Sequence, residues 1–319
     1  MRERTVAVGN GIDMHLYEDG EPGAPVVVLC HGFPELGYSW RHQLPALAAA
    51  GYHAVAPDQR GYGGTTCPAA IEDYDIVGLT DDILGLLDVL GTDRADLVGH
   101  DWGSNVVSHL VLRAPERVRG AMWMSVPFIA RAPAPPTQIF KQIFTDMWFY
   151  MLYFQEPGVA DADLGRDPAT TIRRFLHTVS GEADLAQLAQ MAGARDGRGL
   201  VERLSEPDGP SAWITPDELG HYVAAFTRTG YTGGLNWYRN LDRNWSLTEA
   251  YDGAHVTVPG AYVGGQADPV VAMTPPDGMK QWVDDLRGIT MVPGAGHWVQ
   301  QEKPVEVNEA LLAFLRGLG

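Results

Sequence analysis

The chain has 319 residues, 45% hydrophobic and 20% charged, enough for one large α/β domain with an insertion or for two domains. Its 23 basic and 40 acidic side chains leave a net charge of −17, which argues against a nucleic-acid partner or an anionic membrane surface, since both need clustered cations. Two cysteines, Cys30 and Cys67, are too few for a disulfide framework or a structural zinc site and fit a reducing compartment. The stretch Met1–Asn10 lacks the apolar core of a signal peptide, and no run of about 18 apolar residues occurs, so no membrane span is expected and the expected location is cytoplasmic.

Val26–Cys30 is an apolar run too short for a helix and reads as a buried strand. Trp40–Ala50 reads as a helix stopped by Gly51, and His53–Ala56 as a second strand ended by Pro57 and Asp58. Ile76, Leu79, Ile83, Leu86, Leu87 and Leu90 recur at helical spacing up to Gly91. A third strand, Ala95–Val98, precedes a helix over Gly103–Arg113, and a fourth covers Ala121–Val126. Strands alternating with helices predict a mainly parallel sheet covered on both faces. The rhythm breaks after Pro127. Ala132–Pro136 is a stiff extended connector, and from there to about Trp245 the patterns are helical or irregular, with no clear strand. Gly193–Gly209, rich in Gly, Asp, Arg and Glu, reads as a surface excursion. Thr215-Pro-Asp-Glu218 is a capping box that starts a helix reaching about Arg228. Strands return at Ala261–Gly264 and Ile289–Val292, and an amphipathic helix near Val305–Leu315 closes the chain. The predicted organisation is an α/β core over 1–130 and 246–319, with a helical lid over 131–245 inserted between core strands. Such a layer sits over the C-terminal strand ends, where open α/β sheets place their sites.

Gly99-His-Asp-Trp-Gly103 joins a strand to a helix in the pattern of a nucleophile elbow, with Asp101 where esterases carry serine. A carboxylate is already ionised at neutral pH but is a weak nucleophile, so it needs a strained electrophile or a good leaving group. Attack at an alkyl carbon gives an ester on Asp101, and its hydrolysis needs a base. His297, in a glycine-rich loop after a strand, is the candidate base. Asp268, also after a strand, is the candidate acid that orients it, although an aspartate there also suits a helix N-cap. The chain order nucleophile, acid, histidine is that of the α/β-hydrolases. His31-Gly-Phe-Pro34 follows the first strand; the backbone N–H groups of Phe33 and Trp102 are candidates for an oxyanion hole, and Phe33–Pro34 for a cis peptide. Two tyrosine-bearing segments, Trp148–Gln155 and Leu235–Asn240, fall in the lid, and spacing alone does not choose which tyrosine faces the site.

Together, His31–Arg41, Asp58–Gly63, Gly99–Gly103, Tyr153–Gly158, Leu235–Asn240 and Gly296–Trp298 resemble the soluble epoxide hydrolases of the α/β-hydrolase superfamily, and most of all the bacterial epoxide hydrolase A type. The resemblance spans nearly the whole chain. It implies Asp101 as nucleophile, His297 as base, Asp268 as orienting acid, and Tyr150 and Tyr238 as the pair that holds the epoxide oxygen. It also implies a pocket on Phe33, Pro34, Trp102, Phe128, Met151 and Trp298. Met151 departs from the pattern, standing where the mammalian protein has glutamine. The expected reaction adds water to an epoxide, giving a vicinal diol through an ester on Asp101, with no metal or organic cofactor. The expected partners are a small apolar epoxide and water, with a homodimer allowed. A haloalkane dehalogenase using the same three residues is the nearest alternative, although Phe33 offers no side-chain donor for halide. A serine esterase fits less well, because Ser104 is out of register with the elbow. A catalytically inert ligand-binding module on the same fold is the alternative of another class.

Overall fold

The computed structural model describes residues 1–183 and 192–319. Its centre is an eight-stranded sheet: β1 (Arg2–Gly9), β2 (Ile12–Asp19), β3 (Val26–Cys30), β4 (His53–Pro57), β5 (Ala95–His100), β6 (Val118–Met124), then β9 (Gly260–Gly265) and β10 (Leu286–Val292). The spatial order is β1-β2-β4-β3-β5-β6-β9-β10. The pairings β1–β2 and β2–β4 are antiparallel, and all others are parallel. The hairpin β1–β2 is an addition to the sequence reading, which began the sheet at Val26. Its turn is Asn10-Gly11, both with positive φ (53° and 75°), the backbone of a type I′ turn.

The central strands are mostly apolar because both sheet faces are covered. In β3, Val26, Val28 and Cys30 join one apolar cluster while Val27 and Leu29 join the other. The helices α2 (Ile76–Val89) and α3 (Trp102–Arg113) supply the first cluster. Helix α1 (Gln43–Ala49) and the C-terminal helix (Pro304–Arg316) supply the second. The stretch expected as one helix over Trp40–Ala50 is a 3₁₀ turn, Gly37–Trp40, followed by α1.

Between β6 and β9 the chain builds a second layer: α4 (Pro136–Ile143), β7 (Met147–Phe149), α5 (Tyr150–Tyr153), α6 (Val159–Gly165), α7 (Pro168–Thr178), β8 (Ala192–Ala194), α8 (Pro216–Thr229), α9 (Thr232–Arg239) and α10 (Leu241–Leu247). The capping box forms as read: Thr215 Oγ1 accepts from the Glu218 N–H at 3.3 Å and Glu218 Oε2 from the Thr215 N–H at 2.8 Å. Two expectations need correction. The layer does hold strands, since β7 and β8 pair antiparallel; three residues each are too few to show an alternation. Nor is Gly193–Gly209 wholly a surface excursion. Leu200, Arg203 and Leu204 are buried, the Arg203 guanidinium stacking 4.3 Å over Trp148 and pairing with Asp196. Pairing and stacking let a cation hide in a segment whose composition reads as solvated.

Candidate active site

Strand β5 ends at His100 and α3 begins at Trp102, so Asp101 occupies the turn between them at φ 51° and ψ −119°. A left-handed backbone is costly for a residue with a Cβ, and strain of this kind concentrates at functional positions. The turn closes this tightly because Gly103 carries no side chain: a Cβ there would lie 2.0 Å from the Cys30 carbonyl oxygen. Asp101 Oδ1 accepts the Phe33 N–H at 2.9 Å, and Oδ2 lies 3.5 Å from His297 Nε2. The other ring nitrogen, Nδ1, is 3.2 Å from each oxygen of Asp268. Asp268 also caps the short helix α11 (Pro269–Met273), its Oδ1 accepting the Val270 N–H at 2.9 Å. Both readings of that aspartate therefore hold in geometry.

His297 is gripped along its main chain. Its N–H donates to the Val179 carbonyl at 2.8 Å, and its own carbonyl accepts from Ser125 Oγ at 2.7 Å and faces His100 Nε2 at 2.7 Å. His100 Nδ1 meets the buried Glu35 carboxylate at 2.6 Å. Burial pushes Glu35 up, but His100 and the Gly32 N–H outweigh it and hold the carboxyl at about 2. For His297, burial favours the neutral ring, yet Asp268 and Asp101 together raise it well above the ordinary histidine range.

Asp101 and His297 line a cavity of about 110 Å³ together with Phe33, Tyr150 and Tyr238. The second layer adds Phe149, Phe175, Val179 and Ala192, and α11 adds Pro269, Val270 and Met273. Apart from Asp101, His297 and the two phenols, every lining side chain among the described residues is apolar. Tyr238 is edge-on to Phe33, Trp102 and Tyr150, at ring separations of 5.4, 5.1 and 6.2 Å. Burial, reinforced by the Asp101 charge, raises both phenols, so they stay protonated donors. Gln155 ties the two tyrosine helices together, its Nε2 donating to the Met151 carbonyl at 2.8 Å and the Tyr238 carbonyl at 3.0 Å.

The profile of the alpha/beta hydrolase fold matches residues 25–304. The chain belongs to the α/β-hydrolase family. It is 52% identical to epoxide hydrolase A of Mycobacterium tuberculosis over 97% of this chain and 96% of that protein. It is 36% identical to epoxide hydrolase 2 of Siraitia grosvenorii, over 98% of each chain. The crystal structure of epoxide hydrolase A from Mycobacterium thermoresistibile superposes with a TM-score of 0.95 at 51% identity, covering 99% of this chain and 98% of that one.

In this α/β-hydrolase, Asp101, His297 and Asp268 come together from the C-terminal ends of β5, β10 and β9, as their chain order implied. Of the pocket residues expected, only Phe33 lines the cavity. Pro34, in a cis bond to Phe33, does not, nor do Trp102, Phe128, Met151 and Trp298. Trp102 packs edge-on behind Tyr238 and against Trp237. Phe128 packs on Trp123, and the Trp298 indole N–H donates to the Leu176 carbonyl at 2.8 Å. Met151 follows Tyr150 on the one-turn helix α5. Tyr153 on that helix also points away, its hydroxyl donating to Asp163 at 3.2 Å. Ser104 is buried, donating to the Gly99 carbonyl at 2.7 Å, and takes no part. The lining residues missed by the sequence reading carried little signal. Pro269 and Val270 follow Asp268 directly, and Phe175 and Val179 are spaced like any buried helix face. No helix among the described residues is long and apolar enough to cross a membrane.

Proposed function

We propose that this hydrolase opens epoxides to vicinal diols in two covalent steps. What carries the reading is one arrangement: a strained aspartate with one oxygen on a backbone N–H and the other toward a histidine, in an apolar cavity shared with two protonated tyrosines. Asp101 Oδ2 attacks an epoxide carbon as the carbon–oxygen bond breaks. Tyr150 and Tyr238 bind that oxygen, and one of them gives it a proton. The product is a hydroxyalkyl ester on Asp101. His297 Nε2 then takes a proton from water as the water oxygen attacks the ester carbon. Negative charge gathers on Oδ1, where the Phe33 N–H already lies at 2.9 Å and the Trp102 N–H is the proposed second donor. Collapse releases the diol, which takes its proton from His297; the second water proton then leaves the Asp101 carboxyl and returns to the tyrosine that donated, restoring both the carboxylate and the phenol. The first step also prepares the second, because esterifying Asp101 removes one of the two charges that hold the His297 ring protonated.

The apolar lining suits a small uncharged epoxide, with water as co-substrate. The second layer acts as the lid that carries both tyrosines, over the proposed bounds 131–245. The test is diol formation from a panel of aryl and alkyl epoxides, with halide release from bromoalkanes measured in parallel. Diol from wild type, with a mass adduct on Asp101 that persists in His297→Gln, is the expected result. Halide without diol transfers the same three residues to dehalogenation, and ligand binding without turnover makes the chain an inert binding module; either overturns the proposal.

A further inference from the structure

Glu302 ends the short helix α12 (Val299–Glu302), five residues beyond His297, and its carboxylate receives three backbone N–H groups. Oε1 accepts from Trp298 at 3.0 Å. Oε2 accepts from Gly296 at 2.9 Å and from Gly181 at 2.8 Å. Gly296 and Trp298 flank the histidine. Gly181 belongs to the inserted layer, two residues past Val179, whose carbonyl takes the His297 N–H at 2.8 Å. One carboxylate therefore joins both shoulders of His297 to the layer that carries the tyrosines. The two loops meet where neither has a side chain: a Cβ on Gly296 would lie 2.3 Å from the Gly181 nitrogen, and one on Gly181 would lie 2.4 Å from the Gly294 oxygen. Three donors converging on two oxygens call for a group that only accepts, which an ionised carboxylate does and an amide does not. Burial outweighs the three N–H groups and the nearby His297, so the Glu302 carboxyl is raised above the usual range while those groups limit the rise.

We propose that Glu302 is a positioning residue for the hydrolytic half of the reaction, clamping the His297 loop to the inserted layer so that Nε2 stays aimed at the Asp101 ester. This rests on the two-step reading above. Asp101 itself is held by the β5–α3 turn and the Phe33 N–H, which Glu302 does not touch, so ester formation does not depend on the clamp.

The experiment separates the two half-reactions. Wild type, Glu302→Gln and His297→Gln are mixed with styrene oxide, quenched at intervals, and weighed as intact protein for adduct formation and decay. Rate constants obtained this way do not depend on the fraction of protein folded. Glu302→Gln keeps the shape but turns an N–H₂ toward at least one donor. It is expected to form adduct within twofold of the wild-type rate and to lose it about 10- to 100-fold more slowly, the effect of a small misplacement of a reacting group. Gly181→Ala, which forces the same two loops apart, is expected to slow decay selectively too, and stands in if Glu302→Gln does not fold. Decay at the wild-type rate overturns the assignment, as does equal slowing of formation and decay. If His297→Gln accumulates no adduct, the two-step reading falls and the assignment with it.

Discussion

In the proposed mechanism Asp101 needs no base before it attacks, so the difficulty moves to the departing epoxide oxygen and to the ester left behind. The departing oxygen meets two phenols that burial and the Asp101 charge keep protonated. Tyr150→Phe and Tyr238→Phe are each expected to slow adduct formation by roughly 10- to 100-fold, and the double variant by more than about 10³-fold, in keeping with the usual worth of general acid catalysis. Single-turnover adduct formation reads this directly, and wild-type rates from the double variant would remove the tyrosines from the mechanism. The ester meets His297. Asp268 and Asp101 raise that ring in the free protein, and Asp268 alone still does so once Asp101 is esterified. Since the base must be neutral, decay is slow below the ring's pKa and reaches a plateau above it. Asp268→Asn removes a negative charge, so the pKa falls and the acidic limb of the decay rate moves to lower pH. The plateau drops as well, by about 10²- to 10⁴-fold, because the ring loses the partner that fixes its tautomer. A limb that stays in place or moves upward would contradict this role for Asp268.

Among the elements, what could be read in advance followed from burial. The strands β3 to β6 are largely buried and mostly apolar, so their runs stand out. Helix α8 announces itself through a capping box that the structure reproduces atom for atom. The hairpin was harder because β1 is an edge strand with mostly exposed side chains (Arg-Glu-Arg-Thr before Val6), so composition gives no apolar run. Its real signal was the Asn-Gly pair. That turn supplies a test: Gly11 sits at φ 75° with no atom within 4 Å of where a Cβ would stand, so Gly11→Ala meets backbone strain without a clash. It is expected to cost about 1–2 kcal/mol in urea unfolding with kcat unchanged, whereas Asn10→Gly, at φ 53°, is expected to be near neutral. A neutral Gly11→Ala would mean that the turn is not type I′. Residue spacing left the choice of Tyr150 over Tyr153 open, and only the family resemblance made it. They lie three apart on one short helix, and only tertiary packing sends one to the cavity and the other to Asp163.

At the scale of the whole molecule, the candidate site's meeting of residues was legible because topology, more than local pattern, brings it together. Parallel β5, β6, β9 and β10 put their C-terminal ends along one edge of the sheet, and loops from that edge bring residues as distant as Asp101 and His297 together. The cavity walls were not legible, since any apolar side chain at the right depth serves equally well. The same sheet and its buried ion pairs set the response to acid. Burial raises Glu35, but His100 outweighs it and holds the carboxyl at about 2. At Glu218 burial is likewise outweighed, by the Thr215 N–H and Arg41, which hold it at about 2. Asp58 is lowered too, burial being overcome by His15 and the Gly64 and Gly37 N–H groups. A carboxyl depressed in the folded state contributes stability that is complete above its unfolded pKa of about 4 and disappears as pH falls through the folded value. Asp96 works in the opposite sense: its burial outweighs Arg119 and raises it to about 6, so the folded state gains on protonation before the others begin to lose. The urea midpoint is therefore expected to rise from pH 7 to 5 as Asp96 is protonated and to fall most steeply between about pH 4.5 and 2. Glu218→Gln, which cannot titrate, should lower the midpoint at pH 7 and flatten that fall, whereas Asp96→Asn should raise stability at pH 7 relative to pH 5. A wild-type midpoint that is level down to pH 2.5 would mean that these buried carboxylates are not ionised in the folded protein.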